Sequence, residues 1–147
     1  MAQDPYLRAA IEQARKSRAE GGIPIGSVLV HEGKIIGRGH NCRVQSGSAI
    51  DHGEMNCLRN AGRLTADVYR RSTLYTTLSP CPMCSGAIVL YKIPRVVVGE
   101  NRTFLGAEAY LRSQGVEVDV LQDSECIQLM SDFIREQPAL WNEDIGV

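Results

Sequence analysis

Apolar residues at Leu7, Ala10, Ile11 and Ala14 recur at helical spacing. Asp4 and Pro5 supply an N-cap and a first-turn proline, and Gly21-Gly22 ends the run. Ile25 to His31 reads as a strand. Glu32-Gly33-Lys34 is a hairpin turn, and Ile35 to Asn41 returns antiparallel. Cys42 to Asp51 is polar and carries Gly and Ser, so it is expected to be a loop. His52 opens a helix reaching about Ala61. Ser72 to Thr77 is the next strand. Pro80 and Pro82 break it and start a helix from Cys81 to about Leu90. Arg95 to Val98 is a short apolar strand, suited to the sheet interior. A helix around Ala107 to Ser113, a strand from Val116 to Leu121 and a helix capped by Ser124 and reaching about Glu136 complete the order. A hairpin followed by β-α-β units predicts an α/β fold. Its form is a three-layer α/β/α sandwich around a mixed five-stranded sheet.

At 147 residues the chain predicts one domain spanning 1–147. Charged residues make up 22% and apolar ones 44%, ordinary for a soluble globular protein. The apolar runs are too short for a membrane-spanning helix, and no signal peptide is visible. Seventeen acids against sixteen bases give a net charge of −1. The only adjacent basic pair that stands out is Arg70-Arg71, and proteins that grip nucleic acid usually show a basic face. A small free substrate is therefore expected, with no nucleic-acid and no membrane partner. The five cysteines have no disulfide-framework pattern, which places the chain in the reduced cytoplasm.

The chemistry centres on Pro80-Cys81-Pro82-Met83-Cys84 and on His52-Gly53-Glu54. A C-x-x-C spacing brings two sulfurs to one side of a turn, and His52 is the best third ligand. His31 and His40 lie on strand-like sequence, and Cys42, Cys57 and Cys126 lack ligand spacing. With no fourth protein ligand, the site is open: one catalytic Zn2+ with water or hydroxide in its last position. Zinc lowers that water's pKa from 15.7 to about 7. Hydrolysis at such a metal also needs protons delivered to the substrate atom that gains charge and to the leaving group. Glu54, two residues from His52, is placed to shuttle both, and is expected to be buried so that its pKa rises. H-x-E followed by P-C-x-x-C is the signature of zinc nucleobase deaminases. A thioredoxin-like redox pair or a closed structural zinc are the competing readings of the cysteines.

The likeness extends well beyond the zinc motif. It runs from Glu20-Gly21-Gly22-Ile23-Pro24-Ile25-Gly26 through Gly37-Arg38-Gly39-His40-Asn41 and Thr73-Leu74-Tyr75-Thr76-Thr77-Leu78-Ser79-Pro80-Cys81. It continues through Gly86-Ala87-Ile88 and Val98-Gly99-Glu100-Asn101 to Trp141 and Glu143-Asp144-Ile145-Gly146. On these residues the chain resembles the cytidine-deaminase superfamily. Ser79 before Pro80 and the Trp…Glu-Asp-Ile-Gly ending resemble its free-cytosine branch more than its tRNA adenosine deaminases. The resemblance implies a homodimeric zinc hydrolase converting cytosine to uracil and ammonia, in pyrimidine salvage.

It also implies site roles. Asn41 would bond the pyrimidine carbonyl edge, the Gly53 backbone would meet the base, and Asp144 would bind the exocyclic amine. The Ser79 carbonyl would accept from the leaving amine, and Phe104 and Trp141 would wall the ring. Ile25 and Asp51 are further specificity candidates. An extra carboxylate at Asp51 suits an amino group of another free base, such as guanine, isoguanine, isocytosine or an aminotriazine. Alternatively, Asp51 faces solvent or caps the following helix. A tRNA adenosine deaminase and a zinc-stabilised binding module remain further alternatives.

Overall fold

A computed structural model describes residues 4–147. Helix α1 (Pro5–Ala19) starts at Asp4, whose carboxylate accepts from the Tyr6 and Leu7 amides. Strands β1 (Gly26–His31) and β2 (Lys34–His40) form the hairpin. Glu32 and Gly33 turn it with positive φ at both positions, as a tight two-residue loop requires. Then follow α2 (Arg43–Ser46), α3 (Gly53–Ala61), α4 (Ala66–Arg70), β3 (Ser72–Thr76), α5 (Pro82–Leu90) and β4 (Arg95–Val98). The chain ends with α6 (Glu108–Ser113), β5 (Glu117–Val120), α7 (Ser124–Glu136) and α8 (Pro138–Asp144).

The sheet order is β2-β1-β3-β4-β5. β1 pairs antiparallel with β2 and β3, while β3–β4 and β4–β5 are parallel. This is the mixed five-stranded sheet expected from the sequence. Side-chain alternation along the strands divides the core in two. Leu29, Leu74, Val96 and Val98 pack with Cys57, Ile88 and Leu111 from α3, α5 and α6. Val28, Val30, Tyr75 and Val97 pack on the other face with Leu7, Ala10 and Ile11 of α1 and Cys126 of α7. Each fully buried aliphatic side chain contributes roughly 1.5–3 kcal/mol of transfer free energy, so both helical layers are firmly held.

Glycine lets α3 lie close on β2. A Cβ at Gly39 would stand 2.2 Å from the Cys57 amide nitrogen, so only glycine allows this approach. That contact sets the depth at which the start of α3 enters the fold. A third cluster joins Ile23, Ile25 and Leu78 to Met130, Phe133 and Trp141, and brings α7 and α8 over one end of the sheet.

Four details differ from the sequence reading. The Cys42–Asp51 loop contains the single-turn helix α2, capped by Gly47 in the left-handed region. A short α4 precedes β3. Asp123, rather than Ser124, caps α7, because its carboxylate accepts from the Glu125 and Cys126 amides at 3.0 Å. The C-terminal segment is helical from Pro138, with that proline in the first turn, where its missing N–H has no cost.

Candidate active site

Two helix starts converge on one point. His52 is the N-cap residue of α3 and Cys81 that of α5; neither side chain caps its own helix. Cys84 lies in the first turn of α5. The positive ends of both helices face the trio and favour thiolate over thiol.

His52 Nδ1 lies 3.5 Å from Cys81 Sγ and 3.8 Å from Cys84 Sγ. Tetrahedral zinc with Zn–S of ~2.3 Å and Zn–N of ~2.0 Å separates N and S ligands by roughly 3.5 Å. The donor set therefore fits zinc in both chemistry and spacing. Among the described residues, these three are the group gathered closely enough to hold a metal ion, so no fourth protein ligand closes the site.

A hydrogen bond from Cys84, with further help from His52, holds the Cys81 thiol down to about 4. The same bond, together with burial, pushes Cys84 upward. One sulfur of the pair is thus favoured as thiolate, and a divalent cation bound there would displace the remaining thiol proton. Burial pulls His52 down, but its bond to Cys81 and the charge of Asp144 outweigh that, for a net upward shift. His52 Nε2 lies 3.5 Å from Asp144 Oδ1. That carboxylate, on the far side of the ring, sets the orientation that presents Nδ1 to the metal.

Glu54 is 4% exposed, as expected from the sequence. Burial, reinforced by the nearby Cys81 sulfur, pushes its carboxyl up to about 7. A carboxyl in that range can give and take a proton at neutral pH.

His52, Glu54 and Cys81 form one side of a cavity whose other walls are Ile25, Leu78, Phe104 and Trp141. Ser79, Asp144 and Ile145 complete it. The Phe104 and Trp141 rings meet edge to face, with centroids 5.6 Å apart. The structure thus gathers Ile25, His52, Glu54, Ser79, Cys81, Phe104, Trp141 and Asp144 around one space, with Cys84 beneath.

Asn41 is fully buried and stands behind Asp144. Its Nδ2 donates to Asp144 Oδ1 at 2.8 Å, and its Oδ1 accepts from the Arg43 amide. Gly53 packs against Ile25: a Cβ there would lie 3.1 Å from the Ile25 carbonyl oxygen.

Asp51 is not brought into the cavity. It is 3% exposed and accepts from Ser46 Oγ, Asn56 Nδ2 and Arg59 Nη1. It therefore ties the loop of α2 to α3 and does not face solvent. His40 pairs with Glu20 and Gln13, away from the metal ligands. Sequence reasoning gave no role to Leu78, or to Arg43, whose Nε lies 3.9 Å from Asp144. Leu78 stands within the Thr77-Leu78-Ser79 segment already singled out, so its position was the available signal. Nothing in the sequence pairs Arg43 with Asp144.

A sequence family described as the cytidine and deoxycytidylate deaminase zinc-binding region matches residues 1–100. The cytosine deaminase of Candida albicans is 57% identical over 141 residues, covering 95% of this chain and 94% of that protein. The tRNA-specific adenosine deaminase of Streptococcus pyogenes serotype M18 is 38% identical over 145 residues, covering 91% of each. A solved structure from work on A-to-I editing by tRNA:A34 deaminases superimposes with a TM-score of 0.73 at 29% identity. It matches over 84% of this chain and 97% of that one. With its His-Cys-Cys trio and its mixed sheet, this chain belongs to the cytidine and deoxycytidylate deaminase family of zinc-binding proteins.

Proposed function

We infer that the chain hydrolyses the exocyclic amine of free cytosine, consuming water and releasing uracil and ammonia. The observation that carries this reading is Glu54: a carboxyl pushed up to about 7 in the same cavity as the metal ligands and two aromatic walls. His52, Cys81 and Cys84 would hold the zinc, whose Lewis acidity would make hydroxide available near pH 7.

Glu54 takes a proton from the attacking water and gives it to the ring nitrogen next to the reacting carbon. It then takes the proton of the hydroxyl now on that carbon and passes it to the departing amine as the C–N bond breaks, leaving the uracil carbonyl. Phe104 and Trp141 hold the ring flat and exclude bulk water, with Ile25 and Leu78 as the apolar floor. Asp144 accepts from the exocyclic amine, the Ser79 carbonyl accepts from the leaving ammonia, and Asn41 and the Gly53 backbone fix the ring's polar edge.

The similarity to the Candida albicans cytosine deaminase supports cytosine over other bases. The net charge of −1 and the burial of Trp141 support a small ring over a nucleic-acid strand. Ammonia release from a panel of free bases tests the assignment; inert cytosine beside a rapidly consumed purine sinks it.

We further place residues 1–147 in one catalytic domain that works as a cytoplasmic homodimer in pyrimidine salvage. Helix α5 is apolar on nearly all sides, and Leu90 and Tyr91 at its end are 66% and 45% exposed. Such a helix needs cover, and a second copy supplies it. Among the described residues no helix is long and apolar enough to cross a membrane. Sedimentation measures the mass directly.

A further inference from the structure

We propose that Glu108 is a positioning residue for the cavity: by fixing the direction of the Ser79 hydroxyl, it docks the 101–107 loop so that Phe104 faces the ring. This rests on the reading of Phe104 as the wall of the base site.

The loop is pinned to the Ser79-Pro80 segment along its length. The Ser79 amide donates to the Glu100 carbonyl at 3.0 Å, and the Ala107 amide to the Pro80 carbonyl at 2.9 Å. The Gly106 amide donates to Ser79 Oγ at 2.9 Å. The fit is close enough that a Cβ at Gly106 would stand 2.0 Å from the Pro80 carbonyl oxygen. At the loop's start the buried Glu100 carboxylate accepts from the Arg102 and Thr103 amides at 2.7 and 2.9 Å.

A serine hydroxyl has one proton to give, and its direction is free unless a neighbour dictates it. Glu108 dictates it. Its Oε2 lies 2.5 Å from Ser79 Oγ, and an ionised carboxylate only accepts. The Ser79 proton must therefore point at Glu108, which leaves the oxygen's lone pairs for the Gly106 N–H. The other carboxylate oxygen, Oε1, accepts from Asn101 Nδ2 at 3.2 Å. The Asn101 carbonyl oxygen in turn accepts from Gln122 Nε2 at 2.6 Å. Donors thus converge on Glu108 from the loop's start, at Asn101, and from Ser79 in the segment on which the loop packs.

An acid at the first position of α6 suits the helix dipole, but that favours an exposed carboxylate as much as a buried one. Glu108 is 3% exposed, and Ser79 is 2% exposed. Among the described residues the cation paired with it is Arg112, 3.7 Å away and half exposed, so it offsets little of the burial cost. The buried hydrogen bonds, and not a surface ion pair, account for its place. Glu108 does not line the cavity, whereas Ser79 and Phe104 do, so its influence passes through them.

Glu108→Gln tests this in the zinc-loaded enzyme with cytosine. The amide keeps the shape but turns one acceptor into a donor, so either the Ser79 proton loses its acceptor or Asn101 Nδ2 meets a like group. The expected result is KM raised roughly tenfold with kcat within about threefold, the scale of one lost buried hydrogen bond. Zinc should stay at one per chain, and the emission of Trp141, the only tryptophan and a ring neighbour of Phe104, should shift. In Phe104→Ala/Glu108→Gln, KM should be no higher than in Phe104→Ala alone, because the second change acts through the first residue. Ser79→Ala removes the Gly106 acceptor from the other side and should reproduce the KM and emission changes. A Glu108→Gln enzyme with unaltered KM and emission, beside a raised KM in Phe104→Ala, overturns the inference alone. So do effects that add fully in the double variant. An unaltered KM in Phe104→Ala overturns the wall reading and this inference with it.

Discussion

Phe104 stands edge-on to Trp141, with ring planes at 85° and centroids 5.6 Å apart. The two rings come from distant parts of the chain, the loop before α6 and helix α8, and both line the cavity. Seating a flat base between them must disturb this contact. We therefore expect uracil to change the fluorescence of the single tryptophan in a saturable titration, and Phe104→Ala to raise KM roughly tenfold. Loss of an aromatic contact is worth about 0.5–1.5 kcal/mol beyond buried area. Emission unresponsive to uracil at any concentration counts against Trp141 as a wall of the site.

Glu54→Gln separates proton transfer from metal binding. Glutamine fills the same volume and cannot shuttle protons. Turnover should fall by about two to four orders of magnitude, the usual contribution of a positioned acid–base group. Zinc content should remain one per chain, because the ligating atoms belong to His52, Cys81 and Cys84. Steady-state rates and elemental analysis of the same preparation check both statements; a zinc-free variant would make Glu54 part of the metal's support instead.

The strands and the metal ligands were legible in the sequence because both obey short, regular spacings. Leu29 and its neighbours Val28 and Val30 alternate between faces, as β1 requires. His52 and Glu54, and Cys81 and Cys84, are separated by a turn or less of helix. What escaped notice depends on pairs without a period. Glu108 reaches Ser79 across 29 positions. The one-turn α2 lies in sequence that reads as loop and is held by Asp51, which accepts from Ser46 and also reaches into α3. Asp51 directly precedes His52 in the sequence, yet its side chain points to helix and loop partners. The cap of α7 falls one residue before the expected Ser124 because adjacent Asp123 and Ser124 are both good N-caps.

Asp144 joins the ring of His52 to the amide of Asn41. Both contacts fall on the same oxygen, Oδ1, so Asp144→Asn can keep an acceptor there but removes the negative charge behind the His52 ring. Zinc affinity should fall about 10–100-fold, as for other losses of a carboxylate behind a ligating histidine. Competition with a coloured chelator measures this without reference to catalysis. Unchanged affinity would confine Asp144 to substrate contact.

The cysteines should differ sharply in reactivity. Cys57 and Cys126 are buried, and burial pushes Cys57 up to about 12 and Cys126 further still. Cys81 and Cys84 are held by the metal. Only Cys42, half-buried and also shifted upward by burial, remains within reach of a thiol reagent. The zinc-loaded protein should therefore release at most one equivalent slowly. Chelation should expose two more and lower the melting temperature, since metal binding is coupled to folding. Four or five rapid equivalents before chelation would contradict the buried positions of Cys57 and Cys126.

Asp51→Ala tests stability against specificity. The change strips Asn56 Nδ2 of its buried acceptor and frees Ser46, loosening the loop between β2 and α3. Arg59 is 57% exposed on its side chain, so losing that ion pair costs little. The unpaired buried amide dominates, at about 1–3 kcal/mol. For a chain of this size that lowers the melting temperature by roughly 2–12 °C. Urea denaturation gives the free energy directly. The relative rates on cytosine, isocytosine and guanine should stay as they were, because the Asp51 carboxylate is taken up by loop and helix partners. A change in base preference without loss of stability would return Asp51 to the substrate.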